Sequence, residues 1–205
     1  MKALVIADRR PATRITHILQ QQPVELIITL GDLTRDDLLP LEHITDIPKI
    51  GVYGNHDSGT YMPELGIWNL HMATWRWGGL TFGGFEGCVR YKPSKTAIMY
   101  TQAEATELLR SLPPVDIMIT HCPPRGINDE TELAHQGFDA LRQYLTVHSP
   151  RLLLHGHTYP PADSLVRRYR HTRITYVHGA QVVDLAAPLW IGYSQVAAKN
   201  GTIGA

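Results

Sequence analysis

Six short apolar runs in this chain each end on residues able to bind a metal or move a proton. Leu4-Val5-Ile6-Ala7 stops at Asp8, and Leu26 to Leu30 stops at Gly31-Asp32. Ile50 to Tyr53 stops at Gly54-Asn55-His56-Asp57, and a turn-rich stretch from Ile67 to Phe85 runs on to Arg90-Tyr91. Ile117 to Thr120 stops at His121, and Leu152 to Leu154 stops at His155-Gly156-His157. Carboxylate, carboxamide and imidazole groups gathered in this way suggest a metal site, and a metal site suggests a reaction. Imidazole mixed with oxygen donors suits Mn, Fe, Zn, Ni or Co rather than Ca or a thiolate-bound metal.

The elements that must position these groups follow from the pattern. Short apolar runs read as strands buried on both faces. In open α/β sheets ligands bind beyond the carboxyl ends of the strands, where the polar residues stand. Pro11 to Gln22 and Asp36 to His43 read as helices. Thr101-Gln102-Ala103-Glu104 is a capping box opening a third helix, which Pro113-Pro114 ends. Gly137 to His148 reads as a fourth helix. Trp75 to Phe82 alternates about Gly78-Gly79, a hairpin signal, and the chain is expected to enter a second sheet there. Ile174 to Leu185 reads as one more hairpin.

A chain of 205 residues with 43% hydrophobic and 19% charged content can bury one sizeable core. The expected organisation is a single domain over 1–190 with a loosely held tail over 191–205. Formal net charge is zero, so no global basic field draws in nucleic acid. No apolar stretch approaches the roughly 20 residues of a membrane span. The first strand begins at Lys2, leaving no room for a signal peptide, and Cys88 and Cys122 make no disulfide framework. The expected location is therefore the cytoplasm.

The order Asp8, Gly31-Asp32, Gly54-Asn55-His56-Asp57, Thr120-His121, Gly156-His157 resembles the calcineurin-like metallophosphoesterase superfamily. The resemblance implies an α/β fold, a four-layer αββα sandwich. It implies metal-dependent hydrolysis of a small phosphomonoester or phosphodiester. A divalent cation neutralises phosphoryl oxygens, orients the ester and lowers the pKa of bound water. An imidazole can protonate the leaving oxygen. Carried over by position, Asp32 resembles a bridging metal ligand, and Asn55, His121 and His157 resemble the remaining ligands of one metal. Asp8 resembles a ligand of the other metal; the alternative is an ion pair with Arg10. His56 resembles the general acid, with Asp57 as its orienting partner.

Two positions depart from the family pattern. Arg10 and Tyr159 stand where imidazoles of the other metal pocket are usual. One firmly bound ion, Mn favoured, is the expectation. Arg10 either points to solvent, neutralises Asp8 or holds a phosphate oxygen. Gly83-Gly84-x-x-Gly87-x-x-Arg90-Tyr91, Gly126-Ile127-Asn128-Asp129 and Ala134-His135-x-Gly137-Phe138 resemble stretches of some bacterial members. Arg90 either binds the substrate phosphate or braces its loop. Asp129 and His135 either line the site or tie down the long loop from Cys122 to Gln136. His155 reads as a packed or supporting residue and Cys122 as an inert thiol. A catalytically degenerate binding scaffold is the alternative function; a nuclease is a lesser one, and the basic run 167–173 reads as a solvated turn.

Overall fold

The computed structural model describes residues 1–186. Along the chain run β1 (Lys2–Ala7), α1 (Ile15–Gln21), β2 (Leu26–Thr29), α2 (Arg35–Leu38), β3 (Lys49–Gly51), α3 (Tyr61–Glu64), β4 (Trp68–Asn69), β5 (Thr74–Trp77) and β6 (Leu80–Phe85). Then follow β7 (Cys88–Val89), β8 (Met99–Tyr100), α4 (Gln102–Ser111), β9 (Ile117–Thr120), α5 (Asp139–His148), β10 (Leu152–His155), β11 (Arg168–Tyr169), β12 (Thr172–Tyr176) and β13 (Gly179–Asp184). A 3-10 turn, Leu39–His43, extends α2. The expected tail, 191–205, lies outside the described residues, as do residues 187–190.

Eleven of these strands form two large sheets, and β7 and β8 pair separately with each other. The first has the order β13-β1-β2-β3-β4, parallel except for β13. The second has the order β11-β12-β10-β9-β6-β5, with four parallel strands between the antiparallel edges β11 and β5. Side chains alternate along a strand, and in β1 the alternation assigns two cores. Ala3, Val5 and Ala7 face the other sheet, packing with Ile28, Val52, Phe82, Ile119 and Leu154. Leu4 and Ile6 face outward onto Ile15, Leu38 and Met62 from the first three helices. The second sheet does the same with α4 and α5, setting Phe85, Met118 and Leu153 against Leu109, Leu141 and Leu145. Both faces of each sheet are therefore covered, which is why the strands read as unbroken apolar runs. The architecture is the expected αββα sandwich.

Local signals match closely at α4. Thr101 caps it, accepting from the Glu104 amide, and Glu104 accepts from the Thr101 amide in return. The β5–β6 hairpin turns at Gly78-Gly79, both at positive φ, and opens the second sheet as expected. The closing hairpin does not exist. β12 pairs with β10 and β11, while β13 crosses to the first sheet and pairs antiparallel with β1 from Lys2↔Asp184 to Ala7↔Gly179. β1 needs a partner on its second edge, and the chain supplies it from the far end of the sequence.

Candidate metal centre

The parallel strands of both sheets end on one side of the sandwich, and their exits converge. β1, β2 and the turn after β3 bring Asp8, Asp32 and Asn55; β9 and β10 bring His121 and His157. Asp32, His121 and His157 offer donor atoms that all lie within 4.8 Å of one another. His121 Nδ1 stands 2.8 Å from the Leu30 carbonyl. A carbonyl can only accept, so Nδ1 carries the proton and Nε2 presents a lone pair. That lone pair faces Asn55 Oδ1 at 3.1 Å and Asp32 Oδ1 at 3.5 Å. His157 Nε2 likewise donates to the Ala134 carbonyl at 2.9 Å, which leaves Nδ1 as its donor atom. Backbone carbonyls that fix a ring's tautomer in this manner are a usual support for a ligating histidine.

The electrostatics call for a cation. Among the described residues neither Asp8 nor Asp32 pairs with a lysine or arginine. Burial pushes Asp8 up to about 6, and burial with the neighbouring His121 pushes His157 down to about 2. His121 is fully buried, which disfavours its charged ring, yet Asp32 and Asp8 outweigh that and raise its pKa. Acceptors from Asp32, Asn55, His121 and His157 thus meet around one point. The group fits a divalent transition ion in donor type and tautomer.

The backbone is held in unusual conformations to achieve this. Asp8, Asp32 and His157 have φ of 64°, 52° and 71°, the left-handed region that side chains rarely adopt. Gly54 is required by close approach, since a Cβ there would stand 2.1 Å from Asp32 Oδ1. Gly156 is required likewise, its Cβ falling 2.7 Å from Asp8 Oδ2. Asp57 holds the turns together. Its carboxylate accepts from the amides of Asp32, Leu33 and Gly54 at 3.1, 2.8 and 2.7 Å and from Tyr61 Oη at 3.1 Å. Among the described residues it makes no hydrogen bond to the His56 ring, so the expected orienting role is corrected: the carboxylate is taken up by these amides and Tyr61. His56 is exposed, and its amide donates to Asp32 Oδ1 at 2.9 Å, which sets the residue at the mouth of the pocket.

The other half of the site is built differently. Both carboxylate oxygens of Asp8 accept from the His157 amide, at 3.0 and 3.1 Å. Arg10 does not pair with Asp8. Its Nε donates to Asp37 Oδ1 at 2.8 Å, because Asp37 sits opposite it in the capping box that starts α2. Arg10 is therefore turned away from the site, and Tyr159 is 61% exposed. Arg90 braces its loop, bonding the Met99 carbonyl at 3.1 Å and Glu104 at 3.0 Å. Asp129 ties the long loop, accepting from the amides of Gly126 and Gly137. Among the described residues the bonds of Arg90 and Asp129 are thus the loop-bracing ones. His135 does border the pocket: its ring lies 5.5 Å from that of His157, and Glu130 and Glu132 flank its Nδ1 at 3.6 and 3.5 Å.

His155 is buried and bonded to Asn128, and Cys122 is buried with burial raising its thiol pKa well above the ordinary value. Asn128 is the supporting residue that sequence reasoning missed. At φ 58° it bonds His155, the Val166 carbonyl and the Val166 amide, while its own carbonyl accepts from Thr158. It stitches the long loop to the His155-Gly156-His157 turn. Its place beside Asp129 in the Gly-Ile-Asn-Asp stretch was the available signal.

The family model described as calcineurin-like phosphoesterase matches residues 7–161, the span from the end of β1 past the histidine turn. No curated protein matches the chain. One solved structure superposes with a TM-score of 0.65 at 14% identity, covering 90% of this chain and 95% of its own. TT1561 of Thermus thermophilus gives a TM-score of 0.53 at 18% identity, covering 76% of this chain and 80% of that one. These two likenesses bear on the fold. The span of the family match includes every strand exit that meets at the metal centre, and the chain belongs to the calcineurin-like phosphoesterase family, whose members are metal-dependent phosphoesterases.

Proposed function

We propose that this protein hydrolyses a small phosphomonoester or phosphodiester with one firmly held divalent transition ion, Mn favoured. The observation that carries the reading is the meeting of the Asp32, Asn55, His121 and His157 acceptors at one point, with both tautomers fixed from behind. Those residues would hold the ion. When bound, it supplies charge neutralisation for the phosphoryl oxygens and an acidified water. The protein does the rest. Asn55, His121 and His157 are buried, and a buried setting strengthens the charge interactions made at the reacting phosphorus. His56, exposed at the mouth with its backbone anchored on Asp32, supplies a proton to the leaving oxygen. Among the described residues no helix is long and apolar enough to cross a membrane.

The experiment is hydrolysis of p-nitrophenyl and bis-p-nitrophenyl phosphate after chelation and reloading with Mn, Ni or Co, with bound metal counted by mass spectrometry. About one ion per chain and metal-restored turnover on at least one ester is expected. Tight metal binding with no hydrolysis of either ester would replace this reading by that of a binding scaffold. The exposed His56 ring, bonded to no other group among the described residues, favours the enzyme.

A further inference from the structure

From His157 a run of ring contacts leads outward through His135 to Tyr159, with centroids 5.5 and 6.0 Å apart. The Tyr159 ring meets the edge of the His178 ring, 5.5 Å between centroids, and His178 adjoins Arg9. A cavity of about 260 Å³ opens there between α1 and β13, lined among others by Arg9, Thr13, Gln21, Gln22, His178 and Gln181. Arg9 lies along the start of β13, its Nε 3.3 Å from where a Cβ on Gly179 would stand. Its neighbour Arg10 is taken up by Asp37, but the Arg9 guanidinium has no carboxylate partner among the described residues. None of the named lining residues is acidic. Burial and then the charge of Arg9 lower the His178 pKa, so the two groups repel when both are charged. A place with an unpaired guanidinium, an imidazole, carboxamides and a hydroxyl, one residue from Asp8, is complementary to an anion. A guanidinium and a phosphate match in charge and in planar two-point geometry.

We propose that this cavity seats a second phosphate of the substrate, held by Arg9 and His178. The preferred substrate class is then a small bisphosphorylated molecule, one phosphate over the metal ligands and the other beside Arg9. The inference rests on the phosphoesterase reading and deepens it. Tyr159 then stands between the two places, its ring in edge contact with His135 on one side and His178 on the other.

The test is competitive inhibition of p-nitrophenyl phosphate hydrolysis by fructose bisphosphate and by fructose monophosphate. In the wild type the bisphosphate should bind tighter by roughly tenfold or more, the scale of one charge-assisted hydrogen bond. Arg9→Ala should bring the ratio of the two inhibition constants close to one, and Arg9→Lys should keep part of it. Equal inhibition in the wild type, or a preference unchanged in Arg9→Ala, overturns the proposal. If no metal restores hydrolysis, the phosphoesterase reading fails by itself. The subsite is then judged by NMR of the His178 ring in the metal-free protein during titration with inorganic pyrophosphate. A shift in the wild type that is lost in Arg9→Ala supports it, and no shift overturns it.

Discussion

On one side of Asp32, each imidazole is fixed by a main-chain carbonyl: Leu30 behind His121 and Ala134 behind His157. On the other side, Asp8 accepts from the His157 amide and lies 3.9 Å from His121 Nδ1, Arg10 reaches out to Asp37, and Tyr159 stands mostly in solvent. The two halves share a backbone built with equal care, since Asp8 and Asp32 both sit at positive φ. They differ in what the surrounding chain does to the side chains. Affinity for a metal depends on fixing donors in advance, and only the Asp32–Asn55–His121–His157 half does so. The Asp8 half keeps a buried carboxylate, with Arg10 turned to Asp37 and Tyr159 in solvent where the other half has imidazoles.

The contrast can be broken or sharpened by substitution. His121→Ala removes the central donor and should abolish metal retention, with turnover falling about a thousandfold or more; an ion still bound at full stoichiometry would place the strong pocket elsewhere. His56→Ala should leave metal content and stability alone. It should slow esters of alkyl alcohols by about 10²-fold or more and p-nitrophenyl esters far less, since only a poor leaving group needs the proton. Equal losses on both esters would remove it as the acid. Asp57→Ala strands three amides and a phenol, so chemical denaturation should show a loss of about 3 kcal/mol or more. Metal affinity should fall roughly 10–100-fold with it. Unchanged stability would mean that Asp57 does not brace the turns.

Asp8→Asn should act in the opposite sense on the metal-free protein. Burial raises the Asp8 pKa to about 6, so its charged form is costly when folded. That cost is absent below the ordinary carboxylate pKa of about 4 and grows as pH rises through about 6. At pH 8 the variant should be more stable by about 1–3 kcal/mol, an advantage that vanishes towards pH 4. Thermal denaturation across that range checks it, and lower stability at pH 8 would show that the Asp8 carboxylate supports the fold. The smallest effect should come from Arg10→Ala. It breaks one surface pair, worth less than about 1 kcal/mol, and phosphate inhibition constants should stay within about twofold; a large rise would return Arg10 to the site.

Much of this was legible in the residues. The polar ends of β1, β2, β9 and β10 show in sequence because strands covered on both faces tolerate polarity only where they emerge. The capping box of α4 is local chemistry and reads off four residues. What failed was non-local. β13 looks like the partner of β12 because only a few residues separate them, yet its partner is β1, at the other end of the chain. Asp57 looks like the companion of His56 because they are adjacent, but its carboxylate is claimed by amides from a different loop. Arg10 and Arg90 stand in motif positions, and each is captured by an acid that no spacing rule places next to it.

The left-handed conformation of Asp8, Asp32 and His157 carries a consequence for selection. Glycine at position 8, 32 or 157 would relax the backbone by about 1 kcal/mol each, so a library sorted for thermal stability alone would drift towards losing the pocket while improving the scaffold. An Asp or His retained at all three positions in functional variants would mark them as sites where activity, and not folding, chooses the residue.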